Sequence, residues 1–306
     1  MRKEGATMEE SEKKRQEQLR RDNERLQKLM DQALMMEHIP AKETGNLAFM
    51  TRILVLATMP HSKPDTLVWK RRNGNFQLRM VADPEIGLPY GAQTRLLLSW
   101  ITTRAIQCRG PVVILDRTMS SFMKELGIRP TGGKRGTVAR FQEHAKRLFT
   151  TTISFVYDDQ ESGRWMEKGS RLVHQTQMWW DPVRDHDTDK PMTRVELSKP
   201  FFDELISHPV PLDLRALATL RKSPFAMDIY NWLTYRYHTL QNPTVISWES
   251  LMMQFGCSYT SARDFRKNFL KQLGKVKVLY PKANIQEIKG KGMKLWPSPT
   301  HIASIH

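Results

Sequence analysis

Cysteine is nearly absent: Cys108 and Cys257 are the only two in 306 residues. They lie far apart, so neither a disulfide framework nor a cysteine-rich zinc site can be built from them. Long apolar runs are missing too, and no window approaches the ~18 uninterrupted apolar residues of a membrane-spanning helix. The opening MRKEGATMEESEKK has no apolar segment behind its basic residues, so no secretory signal is expected. Acidic residues are in deficit, 32 against 48 Lys+Arg, leaving a net charge of +16. The expectation is a soluble, cytoplasmic protein with an anionic partner, nucleic acid ahead of a membrane surface. What is present is core material: 40% hydrophobic residues, with eight Trp and twelve Phe, argue against global disorder. At roughly 100–200 residues per domain, the length allows one large domain or two small ones.

Residues 1–44 form a charged arm without a core of their own. The stretch EESEKKRQEQLRRDNERLQKLMDQALMMEHI lacks Gly and Pro and carries i,i+4 pairs such as Glu17–Arg21 and Glu24–Lys28. That composition predicts a helix stabilised by its own surface. Leu19, Leu26 and Ala33 recur at sevens, but Asp22 spoils one position of a coiled-coil seam. A solvated arm and a pairing helix both stay open.

From Gly45 the composition turns globular. TLVWKRRNGNFQLRMVA (66–82) reads as a hairpin with a type I′ turn at Asn73-Gly74. GAQTRLLLSWITTRAIQ (91–107) follows as a helix. Then come a strand at Pro111–Leu115, a short helix at Ser120–Leu126 ended by Gly127, and a basic turn, IRPTGGKRG. A helix at Thr137–Phe149 and strands at 150–159 and 169–180 complete the run. This order predicts a winged helix-turn-helix.

The succession repeats. A helix at Met227–Leu240, a strand at Thr244–Ser247, a short helix ended by Gly256, a helix at Ser261–Leu273 and a basic hairpin close the chain. SFMKELG (121–127) aligns with SLMMQFG (250–256), and Val138, Phe141 and Ala145 with Ala262, Phe265 and Phe269, as an internal duplication would. The expected architecture is α+β: two tandem winged-helix domains, 45–182 and 193–298, behind the N-terminal helix. The acidic, Pro-containing segment 181–192 is the expected linker.

The positive charge falls where such domains meet DNA. Arg129 to Arg147 holds six basic residues against Glu143 alone, and Arg263 to Lys282 holds seven against Asp264 alone. Backbone N–H groups at a helix start, preceded by Gly-Gly-Lys-Arg, suit a phosphate, so Thr131, Lys134, Arg135, Thr137 and Arg140 are candidate backbone contacts. Tyr259, Thr260, Ser261 and Arg263 open the second recognition helix, where side chains reach base edges. Arg266 and Lys267 lie one turn on.

Signatures of catalysis are missing. GGKRGT does not complete the P-loop pattern G-x-x-x-x-G-K-[ST]. No His-x-His pair occurs among the nine histidines to hold a nicking metal, and the acidic cluster around Asp181–Asp189 matches no cation loop. No catalytic residue, metal or cofactor is expected, and the protein is not expected to be an enzyme.

Three segments resemble a known family. PEIGLPYGAQTRLLLSWI (84–101), PTGGKRGTVARFQEHAKRLF (130–149) and MDIYNWLTYR (227–236) are similar to the RepA-type replication initiators of broad-host-range bacterial plasmids. GGKRGT is the most specific element, and the arm at 1–40 lies outside the resemblance. The family implies two winged-helix domains binding double-stranded DNA at directly repeated origin sites (iterons). It also implies opening of an adjacent AT-rich segment and recruitment of the host initiator and replicative helicase. Dimers joined through the N-terminal domain would repress the protein's own promoter or couple origins. By the same resemblance, residues 259–267 would read bases and residues 131–140 would clamp the backbone. The competing expectation is a dimeric DNA-binding transcriptional repressor with no replication role.

Overall fold

The computed structural model describes residues 2–114, 123–124, 127–159, 164–177, 194–256 and 259–302. It is a mixed helix-and-sheet protein. The N-terminal part comprises α1 (Arg2–His38), β1 (Leu47–Thr51), α2 (Arg52–Leu56), β2 (Val68–Asn73), β3 (Phe76–Val81), α3 (Gly91–Gln107), β4 (Val112–Ile114), α4 (Thr137–Thr150), β5 (Thr152–Asp159), β6 (Arg164–Arg171), β7 (Val173–Gln177) and β8 (Arg194–Leu197). The rest comprises α5 (Lys199–Ser207), β9 (Pro209–Asp213), α6 (Leu214–Leu220), α7 (Pro224–Thr239), β10 (Thr244–Ser247), α8 (Trp248–Phe255), α9 (Ala262–Leu279), β11 (Ile285–Ile288) and β12 (Gly292–Leu295).

The hairpin expected at 66–82 forms as β2–β3, with Asn73 opposite Phe76. Its two central residues are therefore Gly74 and Asn75, one place on from the expected Asn-Gly. Only Gly74 has positive φ, at 56°, which fits the glycine-first requirement of a type II′ turn rather than type I′. Helix α9 also runs further than its apolar spacing suggested, passing through Gly274 to Leu279. Val276 and Leu279 continue its buried face, so burial outweighs the glycine's propensity cost of about 1 kcal/mol.

Strand partners differ from the expectation more than the elements do. Strand β5 does not form a wing for the preceding helix; it pairs with β3 and β6, giving a four-stranded antiparallel sheet in the order β2-β3-β5-β6. Strand β4 instead takes β8, which pairs with β7. The segment between β7 and β8 contains the expected linker 181–192 and lies outside the described residues. So does most of the expected helix at 120–126. In the C-terminal part β12 lies between β10 and β11.

The halves share a core. Helix α3 is buried on nearly all sides, with Leu96, Leu97, Leu98, Trp100, Ile101 and Ala105 inside. Its Thr102 and Thr103 hydroxyls bind Phe49 O and Phe49 N at 2.6 and 2.8 Å, stitching the helix to β1. Strand β1 pairs antiparallel with β9. At the centre lies an ion pair: Arg95 is 1% exposed and donates to both carboxylate oxygens of Asp228 at 2.7 Å. Its remaining N–H groups satisfy the Met59, Pro60 and Gly91 carbonyls, and His61 Nε2 meets Asp228 at 2.8 Å. Burial alone would raise the Asp228 carboxyl pKa, but the Arg95 guanidinium and the His61 contact hold it below its usual value. Gln254 adds a second tie, its side-chain amide donating to Val55 O and its main-chain carbonyl accepting from the Thr58 hydroxyl.

Helix α1 is exposed from Glu10 to Lys28, where Lys14–Glu10 and Arg21–Glu17 form i,i+4 pairs. Its last turns pack Leu29, Ala33 and Met36 onto the body against α6 and α9. Arg215 ties its end down by donating to Ile39 O.

Candidate nucleic-acid interface

The first basic locus is the loop before α4. Thr131 and Thr137 bind each other reciprocally, Thr131 N to Thr137 Oγ1 at 2.8 Å and Thr137 N to Thr131 Oγ1 at 2.9 Å. The Thr137 hydroxyl also donates to Arg129 O at 2.7 Å. These two side chains shape the loop, and their hydroxyls are engaged within it. Gly133, at φ 84°, supplies the left-handed turn residue. Gly136 has no room for a side chain, because a Cβ would sit 2.2 Å from Thr131 O. The closed loop carries Lys134 and Arg135 outward, both exposed, and Arg140 braces it by donating to Arg135 O at 2.9 Å.

Two neighbours in the same basic run face elsewhere. Arg147 is buried, binding Glu143 at 2.7 Å and stacking its guanidinium over Tyr90. It belongs to the core edge rather than to an open basic surface. His144 is half-buried against the Tyr90 ring, and desolvation lowers its pKa despite the opposing pull of Glu143.

The second locus is the start of α9. Ser261 caps the helix by accepting from Asp264 N at 3.3 Å. Thr260, Arg263 and Lys267 are exposed, with the two basic side chains about one turn apart. Tyr259 is half-buried; its ring lies edge-on to Phe265 and its hydroxyl accepts from Asn268. Arg266 is turned sideways, bound to Glu287 on β11 with its guanidinium over Trp248. Of the residues expected here, Arg263, Lys267 and Thr260 thus stand clear, while Tyr259, Ser261 and Arg266 build the platform.

A short turn brings the two loci near each other. A Cβ at Gly127, just before the first loop, would lie 3.7 Å from the Arg221 guanidinium. Four residues on, the Phe225 ring sits 6.4 Å from that of Tyr259. Arg221 and Lys222 are both exposed in this turn and extend the positive surface between the loci. The β11–β12 hairpin adds Lys289 and Lys291, exposed on either side of Gly290 at φ 76°. Sequence reading passed over these four as sites. The signals were short: RKSP before a helix, and KGKG, in which glycine alone easily takes the left-handed turn.

Among the described residues no three His, Cys, Asp or Glu side chains are grouped to hold a metal, and no helix is long and apolar enough to cross a membrane. The acidic cluster at Asp181–Asp189 lies outside the described residues.

Two solved structures are similar to this chain. A crystal structure of selenomethionine domains 2 and 3 of RctB aligns at a TM-score of 0.51 and 11% identity, covering 80% of this chain and 96% of that one. A second structure of the same RctB domains gives 0.47 at 11% identity, covering 79% and 94%. At this identity the first likeness is one of fold. No curated protein sequence matches. The model of plasmid-encoded RepA proteins matches residues 88–250, from the entry to α3, through the Thr131–Thr137 loop and α4, to the start of α8. With more than half of its length inside that match, the chain belongs to the RepA family of plasmid replication initiators.

Proposed function

We propose that this initiator binds directly repeated origin DNA through two winged-helix modules and opens the origin without covalent chemistry of its own. The observation that carries the reading is the second locus. Helix α7, strand β10, helices α8 and α9 and the hairpin β11–β12 follow in the order of a winged helix, with β12 returning beside β10. Exposed Arg263 and Lys267 then stand at the start of the recognition helix and Lys289 and Lys291 at the wing tip. Lys134 and Arg135 form a backbone clamp on the first module, and Arg221 and Lys222 bridge the two.

Two modules on one chain act at an effective concentration of roughly millimolar toward each other. With about six to ten phosphate contacts, affinity falls by ~10³–10⁵ between 50 and 200 mM salt. Bending DNA across both modules costs of order 1–6 kcal/mol, least at flexible AT-rich steps, and origin opening draws on that strain. Dimerisation and contacts with the host initiator and helicase complete the proposal by family analogy.

Footprinting on the DNA flanking the protein's own gene, at about 150 mM salt with competitor DNA, tests the reading. Protection of several direct repeats beside an AT-rich stretch is expected. A single protected palindrome over the promoter would instead identify a repressor. Arg263→Ala should relax site preference, costing about 1–3 kcal/mol on the cognate site, whereas Lys134→Ala should weaken all sequences about equally. The reverse pattern would overturn the division of roles.

A further inference from the structure

The four-stranded sheet has one face in the core and one in water. Alternation puts Trp69, Leu78, Met80 and Ile153 inside, and turns Lys70, Arg72, Arg79 and Arg171 outward, all four exposed. Register sets Lys70 directly opposite Arg79, with Arg72 one step along the same face. Like charges directly opposite in an antiparallel pair destabilise a sheet. Lys70, Arg79 and Arg171 have no acidic partner among the described residues to offset that cost. An anionic ligand would remove it.

The row that begins with Lys70 and Arg79 continues through Ser154 and Gly169. A Cβ at Gly169 would lie 2.9 Å from Ser154 Cβ, so the centre of the face stays low. At the far end of β6 stands Trp165, 63% exposed and on the same face as Arg171. Six residues at about 3.4 Å separate the two, a span of roughly 20 Å. Asp158, opposite Trp165, and Glu167 repel phosphate but accept hydrogen bonds from base amino groups. Cations for phosphates at one end, with a bare indole and carboxylates for bases at the other, match a strand whose bases are unpaired. A duplex keeps its bases stacked inside, beyond reach of an indole on an open sheet face.

We propose that this open sheet face binds single-stranded DNA, separately from the duplex-binding helices. Phosphates run over Lys70, Arg79 and Arg171, and a base stacks on Trp165. The proposal rests on the initiator reading only for the source of the strand, the opened origin.

The full-length protein would be titrated against a labelled thymidine oligonucleotide and, separately, against duplex from its own flanking repeats, with anisotropy as the readout. Lys70→Glu with Arg79→Glu should weaken single-strand binding at least tenfold and flatten its salt dependence, leaving duplex affinity within twofold. Trp165→Ala should cost about five- to a hundredfold on the single strand, the stacking worth of one base. If the charge-reversed protein does not fold, Lys70→Gln with Arg79→Gln, which relieves the like-charge opposition, carries the same expectation. Unchanged single-strand affinity, or equal losses on single strand and duplex, would overturn the proposal. Wild-type protein that ignores the repeats but shows the single-strand losses would sink the origin reading and leave this surface standing.

Discussion

The two halves begin alike and end on the same strand order, β4-β8-β7 and β10-β12-β11, but they reach it by different routes. Each runs through a helix, a short strand and a second amphipathic helix: α3, β4 and α4, then α7, β10 and α9. After α9 the next hairpin returns at once, and β12 pairs with β10. After α4 the next hairpin is captured elsewhere, because β3 offers a free edge that β5 fills, and β4 must wait for β8. Helix starts differ too. Helices α5 to α9 each begin on a Ser or Asp whose side chain accepts a backbone N–H, whereas α2, α3 and α4 begin on Thr51, Tyr90 and Gly136 without a side-chain cap. The C-terminal half is specified locally, residue by residue. The N-terminal half is held by contacts distant in sequence.

The largest expected effect tests whether this difference separates the halves or is bridged. Asp228 sits on α7, its side chain 6% exposed, and its main partner is Arg95 on α3. Asp228→Ala leaves a buried guanidinium without its carboxylate, at a cost of about 3–5 kcal/mol. Wild-type protein should unfold in one calorimetric transition, and the variant in one transition at lower temperature. Two transitions, only one of them shifted, would show that the halves fold independently in spite of the pair.

The same contrast explains what could be read from sequence. Helices α3, α4 and α7, the β2–β3 hairpin and the C-terminal hairpin were legible because apolar spacing and turn glycines are local signals. Strand partners were not: nothing in TTTISFVYDD states that β3 has a free edge. The candidate site divided similarly. Exposed Lys134, Arg135, Arg263 and Lys267 stand where charge runs suggested. Arg147 and Arg266 sit in equally basic runs, but Glu143 and Glu287 draw them aside, and Glu287 is 21 residues from its partner. Arg95 has no local signal around it in GAQTRLLLSWITTRAIQ. Its role depends on a carboxylate 133 residues away.

Intermediate effects compare the two helix starts directly. Gly136→Ala forces a Cβ against Thr131 O and should cost about 1–3 kcal/mol, as overpacking does, while displacing Lys134 and Arg135. Ser261→Ala removes one cap from α9 and should cost about 1 kcal/mol with the platform intact. Chemical denaturation measures both. A larger loss at Ser261 than at Gly136 would mean that the first loop yields easily and is not the rigid clamp its threonine bracket implies.

The smallest expected effect is a slope rather than a step, and it sets one histidine of each half against the other. Burial lowers the pKa of both His144 and His301; Glu143 and Asp213 respectively pull the other way. A histidine depressed in the folded state binds fewer protons there than in the unfolded chain. Its stabilisation is fully present above the ordinary value near 6.5 and is lost as pH falls through the folded pKa. The melting temperature should therefore decline from pH 7 toward 5. The two sites differ in what protonation breaks. Tyr230 OH accepts from Asp213 N at 3.0 Å and can give its own proton to a bare His301 Nδ1 at 2.7 Å; protonating that nitrogen reverses the second bond and strips the Tyr230 proton of its acceptor. The Thr94 hydroxyl already donates to Tyr90 O, leaving it to accept from His144 Nδ1, which carries a proton in either state. Charging His301 thus costs a hydrogen bond on top of desolvation, while charging His144 breaks no hydrogen bond. His301→Gln should flatten the pH dependence of melting more than His144→Gln. The opposite ranking would place the acid-sensitive element in the N-terminal half.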